Sequence, residues 1–238
     1  MSEGIFSRTK CLLGAGAMEK LANSTIFVFG LGGVGSYAFE AIVRSGIGCV
    51  HVVDYAKIDE TNINRQLLAL QSTIGKFKTE AAAERAADIN PIVRIIESRM
   101  FIDAGNIENC ITGKIDYILD AIDSVESKIT LIEFAHKMEI PIISCMGTGN
   151  KVQPERLRIS DIYETTTDPL ARIIRQSLKK RNIKSLEVVW SDETPLLRGE
   201  SLPINNDGRR VPASTAYVPA AAGILMASHA VNRLASIK

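Results

Sequence analysis

Thr25-Ile26-Phe27-Val28-Phe29 runs straight into Gly30-Leu31-Gly32-Gly33-Val34-Gly35-Ser36, and this junction decides the fold. Five consecutive β-branched or aromatic residues suit a strand buried on both faces. The glycines then form G-x-G-x-x-G at the entry to a helix predicted over 35–45, and a second β-branched run follows at 50–54. This β-α-β signature predicts a parallel sheet with covering helices. Glycine permits the tight turn and lets backbone N–H groups meet phosphate oxygens at the helix N-terminus. Asp54, about 20 residues beyond Gly35, ends the second strand where a carboxylate can accept hydrogen bonds from both ribose hydroxyls. A nucleotide site follows, and NAD and ATP compete for it on equal terms, because the dinucleotide fingerprint has the same layout.

Further strands are predicted over 94–97, 117–120 and 140–144, with helices over 79–89 and 128–137 between them. The region after residue 160 changes character. It offers a basic helix over 169–182, a short strand over 186–190, and turn-rich chain through Pro195, Pro203 and Asn205-Asn206-Asp207-Gly208. The expected architecture is α/β: a Rossmann-like, mostly parallel sheet with helices on both faces, plus a smaller C-terminal basic lobe. We divide it into a nucleotide-binding domain (1–160), an inserted basic lobe (161–210), and a C-terminal segment whose helix packs back on the core (211–238).

Composition bounds the function classes. The chain has 238 residues, 46% hydrophobic and 23% charged, which is ordinary for a soluble globular protein and enough to bury a substantial core. Its four cysteines, Cys11, Cys49, Cys110 and Cys145, include no C-x-x-C pair. That spacing excludes a thiolate zinc ribbon or dense disulfide framework and fits a reducing, cytoplasmic setting. The N-terminus has neither the basic start nor the apolar stretch of a secretory signal. Residues 211–232 carry no Asp, Glu, Lys or Arg, but Pro212 and Pro219 should leave about a dozen helical residues from Ala220 onward, where a membrane span needs about 20. A buried core or dimer helix is expected there, and no membrane association. Residues 1–150 carry 14 basic and 18 acidic side chains, while 151–238 carry 14 and 9, so the C-terminal part is basic. An ordinary solvated surface explains most such runs, and a polyanion-facing patch is the sharper reading.

Beyond the ribose carboxylate come Thr61-Asn62-Ile63-Asn64-Arg65-Gln66 and then Lys78 at a helix start. An adenylating enzyme needs fixed cations on its triphosphate, because charge develops on the leaving pyrophosphate. Arg65 and Lys78 could supply them, whereas a nicotinamide dehydrogenase needs no such pair. A third element, Asp120-Ala121-Ile122-Asp123-Ser124, follows a predicted strand. Strand C-termini face the ligand crevice in an open parallel sheet, which places these carboxylates to reach phosphates through Mg²⁺, with Asp123 the metal candidate. Its alternative role is as the N-cap of the next helix.

Together these residues resemble the ubiquitin-activating-enzyme-like adenylation superfamily, which includes the ThiF and MoeB type enzymes. Within it the chain is most similar to the tRNA threonylcarbamoyladenosine dehydratases, through Thr61 to Gln66, Asp120 to Ser124, and Asp161-Ile162 to Asp168-Pro169-Leu170-Ala171. The resemblance implies that Gly30, Gly32, Gly33 and Gly35 form the loop at the α-phosphate and that Asp54 holds the ribose. Thr61, Asn62, Asn64, Arg65, Gln66, Lys78, Asp123 and Ser124 complete the ATP site, with Asp123 on Mg²⁺. Arg65, Lys78 and Asp123 would be catalytic, joined by Arg8 reaching into the partner's site in a homodimer. The implied reaction is ATP-dependent cyclisation of N6-threonylcarbamoyladenosine at position 37 of tRNA through an acyl-adenylate, releasing pyrophosphate and AMP. Arg172, Arg175, Lys179, Lys180 and Arg181 are the candidate tRNA contacts. The alternative is adenylation of the C-terminal glycine of a sulfur-carrier protein. That rival usually needs a reactive cysteine; Cys145 is the only one suitably placed, and burial is its commoner role. The resemblance leaves open a monovalent alkali cation near the nucleotide loop and a sulfur-transfer partner protein.

Overall fold

The computed structural model describes residues 4–111, 113–196 and 211–237. Its centre is a seven-stranded sheet in the order β3-β2-β1-β4-β5-β7-β6. The strands are β1 (Thr25–Phe29), β2 (Cys49–Val53), β3 (Arg94–Ser98), β4 (Tyr117–Asp120), β5 (Ile142–Cys145), β6 (Leu157–Asp161) and β7 (Glu187–Ser191). All neighbours pair in parallel except β6 with β7. The helices are α1 (Ser7–Leu13), α2 (Ala15–Ala22), α3 (Gly35–Arg44), α4 (Lys78–Ile89), α5 (Ile107–Cys110), α6 (Val125–Lys137), α7 (Pro169–Lys180) and α8 (Tyr217–Leu234).

Alternation along each strand assigns the two layers. Ile26, Val28, Val50, Val52, Leu119 and Ile143 join one cluster with Phe39 and Ile42 of α3, Ala82 of α4 and Met226 of α8. Phe27, Phe29 and Ile118 point the other way, onto Leu131 and Ala135 of α6. A third cluster brings Val188 and Trp190 of β7 against Ala171, Ile174 and Leu178 of α7. Helices therefore cover both faces, as expected for a largely parallel sheet.

Two details depart from the sequence reading. Residues 161–196 do not stand apart as a lobe: β7 pairs with β5, and β6 adds an antiparallel edge, so this stretch widens the common sheet. The turn cluster at 205–208, with Pro203, lies outside the described residues. The C-terminal helix also begins earlier than its prolines suggested. Pro219 sits in the first turn of α8, where a missing N–H leaves no intrahelical bond unmade, so the helix runs 18 residues. Its Val218, Ala222, Met226 and Ala230 are buried, and no helix among the described residues is long and apolar enough to cross a membrane.

Candidate active site

The C-terminal ends of β1, β4 and β5 open onto a cavity of about 840 Å³. It lies where the strand order reverses between β1 and β4, the topological switch point at which open α/β sheets bind ligands. Its wall includes Gly30, Gly32, Gly33, Asp54, Arg65, Gln66, Lys78 and Asp123, so most of the sequence-predicted nucleotide residues meet in one place.

The glycine loop is fixed by sterics. Gly30 has φ +85°, and a Cβ there would lie 2.7 Å from the Ala121 carbonyl oxygen. At Gly35 a Cβ would fall 1.7 Å from the Gly30 carbonyl oxygen, so only glycine lets α3 start against the turn. Gly32 has nothing within 4 Å of a Cβ position. That open space beside a helix N-terminus is the form of a phosphate cradle.

Asp54 is buried at the end of β2. Its Oδ2 accepts from the Leu31 N–H at 2.7 Å and its Oδ1 from the Ala56 N–H at 2.8 Å. Lys78, the first residue of α4, brings Nζ to 3.9 Å from Asp54 Oδ2. Tyr55 lies in the field of this cluster: burial, then the negative charges of Asp123 and Asp54, push its phenol pKa up.

The 59–66 loop divides its residues between the cavity and its own framework. Asp59 accepts from the Thr61 N–H and hydroxyl, and the Asn62 side chain accepts from the Asp59 N–H at 3.1 Å. Arg65 donates to the Thr61 carbonyl and to Asn64 Oδ1, both at 2.9 Å, while Asn64 donates to the Ser214 carbonyl at 3.2 Å. Arg65 and Gln66 line the cavity; Thr61, Asn62 and Asn64 do not, and instead shape the loop that presents them. Gln66 Oε1 is buried with no partner among the described residues.

The two acidic residues after β4 separate. Asp120 is fully buried, and its Oδ2 accepts from Lys128 Nζ at 2.8 Å and from the Ser144 hydroxyl at 2.6 Å. It ties β4, α6 and β5 together and cannot reach a phosphate, contrary to its sequence reading. Asp123 is exposed to the cavity. The N-cap of α6 is Ser124, whose hydroxyl accepts from the Ser127 N–H at 3.5 Å. Ser124 therefore caps the helix away from the cavity wall, and Asp123 keeps its carboxylate clear of capping. No group of three or more His, Cys, Asp or Glu side chains fit to hold a metal occurs among the described residues. A single carboxylate suits Mg²⁺, which commonly takes one or two carboxylates and completes its shell with substrate phosphates and water.

Arg8 lies exposed on α1, which buries none of its residues, and it does not line its own chain's cavity. Cys145 does line the cavity, but it is buried and its thiol pKa is pushed up to about 12 by that burial. That burial disfavours the thiolate, the nucleophilic form. On α7, Arg172, Lys179 and Lys180 are exposed, as is Arg181 at its C-cap, whereas Arg175 is partly buried. Arg175 donates to the Thr165 carbonyl at 2.8 Å and to its hydroxyl, and Arg181 pairs with Glu133 at 2.7 Å and donates to Ser177.

The sequence reading missed the part of the cavity wall that follows β5. Lys151 and Asp168 both line it and form a buried ion pair at 2.6 Å. Asn150, in left-handed backbone at φ 58°, donates its N–H to the Ala213 carbonyl at 2.7 Å. Its carbonyl accepts from the Leu196 N–H at 2.7 Å, and its Oδ1 accepts from the Ala213 N–H at 2.9 Å. Asp168-Pro169 carried a helix-start signature, an N-cap followed by proline at the first helical position. Lys151 stood in no readable pattern.

The ThiF family model matches residues 6–238. The chain is 42% identical to the tRNA threonylcarbamoyladenosine dehydratase of Bacillus subtilis, an alignment covering 96% of this chain and 94% of that protein. Among solved structures, the Escherichia coli tRNA N6-threonylcarbamoyladenosine dehydratase in complex with ATP matches at TM-score 0.88 and 32% identity, covering 97% of this chain and 93% of that one. The same E. coli enzyme in complex with AMP matches at TM-score 0.88 and 32% identity, covering 97% and 94%.

Proposed function

We infer the activity from the premise that this chain belongs to the ThiF family. It is an ATP-dependent adenylating enzyme that cyclises threonylcarbamoyladenosine in tRNA. The observation that carries this reading is a single cavity joining a glycine-lined cradle, Asp54, Arg65, Lys78 and Asp123 with the wall that follows β5.

The chemistry answers a simple difficulty: a carboxylate is a poor electrophile because oxide is a poor leaving group. Attack of the threonyl carboxylate on the α-phosphate of ATP gives an acyl-adenylate and pyrophosphate. The neighbouring carbamoyl group then closes on the activated carbonyl and releases AMP, with net loss of water. Because this second nucleophile belongs to the same molecule, no enzyme thiol is needed. That agrees with the pKa of Cys145.

In our assignment the glycine loop receives the α-phosphate through backbone N–H groups, and Asp54, already fixed by Leu31 and Ala56, orients the ribose. Arg65 and Lys78 engage the β- and γ-phosphates and stabilise the leaving pyrophosphate. Asp123 would hold Mg²⁺, which supplies further charge neutralisation there. Thr61, Asn62 and Asn64 act through Arg65 and the loop, and Ser124 through the start of α6. Arg172, Lys179 and Lys180 form the tRNA-facing part of α7. Arg8 completes the site of a second subunit in a homodimer. An alkali cation at the nucleotide loop and a sulfur-transfer partner are compatible additions, and four free cysteines accord with a cytoplasmic setting.

The test is AMP release from ATP by purified protein, with tRNA carrying threonylcarbamoyladenosine, tRNA lacking it, and no tRNA, followed by mass analysis of the nucleosides. AMP formed only with the modified tRNA, with loss of one water from the nucleoside, is the expected result. Pyrophosphate exchange that required a carrier protein's C-terminal glycine and ignored tRNA would favour the sulfur-carrier alternative.

A further inference from the structure

Residues 147–151 leave the end of β5, two strands over from the glycine loop, and form the cavity wall beyond Asp123. Lys151 is 1% exposed and Asp168 0% exposed. Lys151 Nζ donates to Asp168 Oδ2 at 2.6 Å and to the Gly147 carbonyl at 2.6 Å. Asp168 Oδ1 accepts from the Ala171 N–H at 2.9 Å, capping α7, and from the Gly147 N–H at 3.4 Å. The carboxylate is thus committed on both oxygens. The ammonium is not: it has three N–H groups, and two are used among the described residues.

Folding alone does not require an ammonium here, although in this pair it neutralises the Asp168 carboxylate that caps α7. Replacing a buried ion pair by apolar side chains of similar volume is often neutral or stabilising. Resting on the dehydratase reading, we propose that Lys151 is a further catalytic residue: its remaining N–H donates to the acyl oxygen of the substrate while the carbamoyl group closes on the acyl-adenylate. Asp168 and the Gly147 carbonyl are its positioning groups. In that step a bond forms between the carbamoyl nucleophile and the acyl carbon, and the acyl C–O bond to AMP breaks. Its electron pair leaves on the AMP phosphate oxygen, and the proton lost from the carbamoyl N–H goes to water. Negative charge collects on the acyl oxygen as the carbon becomes tetrahedral, and a fixed donor aimed at it lowers the barrier. The order of strands supports the placement. The phosphate loop follows β1, Asp123 follows β4, and Lys151 follows β5, so the lysine lies in the same cavity on the far side of Asp123 from the phosphate loop.

The test uses the full chain with Lys151→Gln, the double variant Lys151→Met/Asp168→Asn, and Lys151→Arg. Loss of a single oxyanion donor typically costs about 10²–10³ in kcat, so a fall of at least about 30-fold is expected in the first two variants. The ATP Kd and the KM for modified tRNA should stay within about threefold, and arginine should recover at least about tenfold of the loss. If the double variant fails to fold, Lys151→Gln, which keeps a donor to Asp168, decides. Turnover within about threefold of wild type overturns the proposal. So does a kcat loss matched by lost ATP affinity, or one that arginine does not relieve, since either describes a packing residue. A wild-type protein inert toward modified tRNA overturns the dehydratase reading and this proposal together. An active wild type with indifferent variants overturns only the latter.

Discussion

Asp120 and Asp123 stand three positions apart and do opposite work. The first is sealed with Lys128 and Ser144 inside the core; the second faces the cavity. Lys128→Met would strand a buried carboxylate and should cost about 3–5 kcal/mol in a denaturant titration. Asp123→Asn should leave the unfolding midpoint nearly unchanged but reduce AMP formation by about 10²-fold or more, measured at saturating Mg²⁺. Cys145→Ala should retain turnover within about threefold, since a thiol raised to about 12 supplies no thiolate at neutral pH. Much of this scale was legible from sequence. Asp54, Lys78 and Asp123 follow from the rule that strand ends and helix starts face the crevice, and Arg65 from the Thr61 to Gln66 run that carries the resemblance. What separates Asp120 from Asp123 is a lysine on the next helix and a serine on the next strand, and no local pattern shows that closure. Lys151 was hidden for the same reason, because its partner lies 17 positions away.

Among the elements, α7 shows how far periodicity reaches. The sequence predicted a basic helix without fixing its faces, and the structure shows Ala171, Ile174 and Leu178 as its buried stripe. Which cations acquire polar partners was set by distant neighbours: Thr165 for Arg175 and Glu133 for Arg181. Replacing Arg172, Lys179 and Lys180 together by Ala should weaken tRNA binding and flatten its salt dependence, by about 0.7 in log–log slope for each phosphate no longer neutralised, with ATP affinity intact. Arg175→Ala should instead lower stability by about 1–3 kcal/mol in thermal unfolding. The packing of α3 on α4 adds a pH dependence. Burial alone would raise the Glu40 pKa, but hydrogen bonds from Arg85 at 2.6 Å and Arg44 at 2.7 Å overcome it and hold the carboxyl below its ordinary value of 4.5. Stability from this clamp is present above that ordinary value and is lost as pH falls through the lower folded one. Glu40→Gln should therefore flatten the acid limb of the stability curve.

Over the whole molecule, six of the seven strands were readable, whereas β6 and the antiparallel edge it makes were not. β6 gave no strand signal, and its pairing with β7 joins Leu157 to Ser191 across an intervening helix, so the stretch read as a lobe. Assembly is the remaining question at this scale, because Arg8 lies outside its own chain's cavity. If it completes the partner's site, Arg8→Ala and Asp123→Ala proteins, each inactive alone, should regain up to about a quarter of wild-type AMP release after subunit exchange, since only mixed dimers carry one intact site. The switch point has a further consequence. Residues 25–98 build the β1–β3 side of the sheet and residues 117–191 the β4–β7 side. A nucleotide held by Asp54 and Lys78 on one side and Asp123 on the other would span the seam like a rivet. At about 100 times its Kd it would add about 2.7 kcal/mol to the native state. Cells depleted of ATP would then hold a protein more open to proteolysis, coupling the lifetime of this enzyme to the energy supply it consumes.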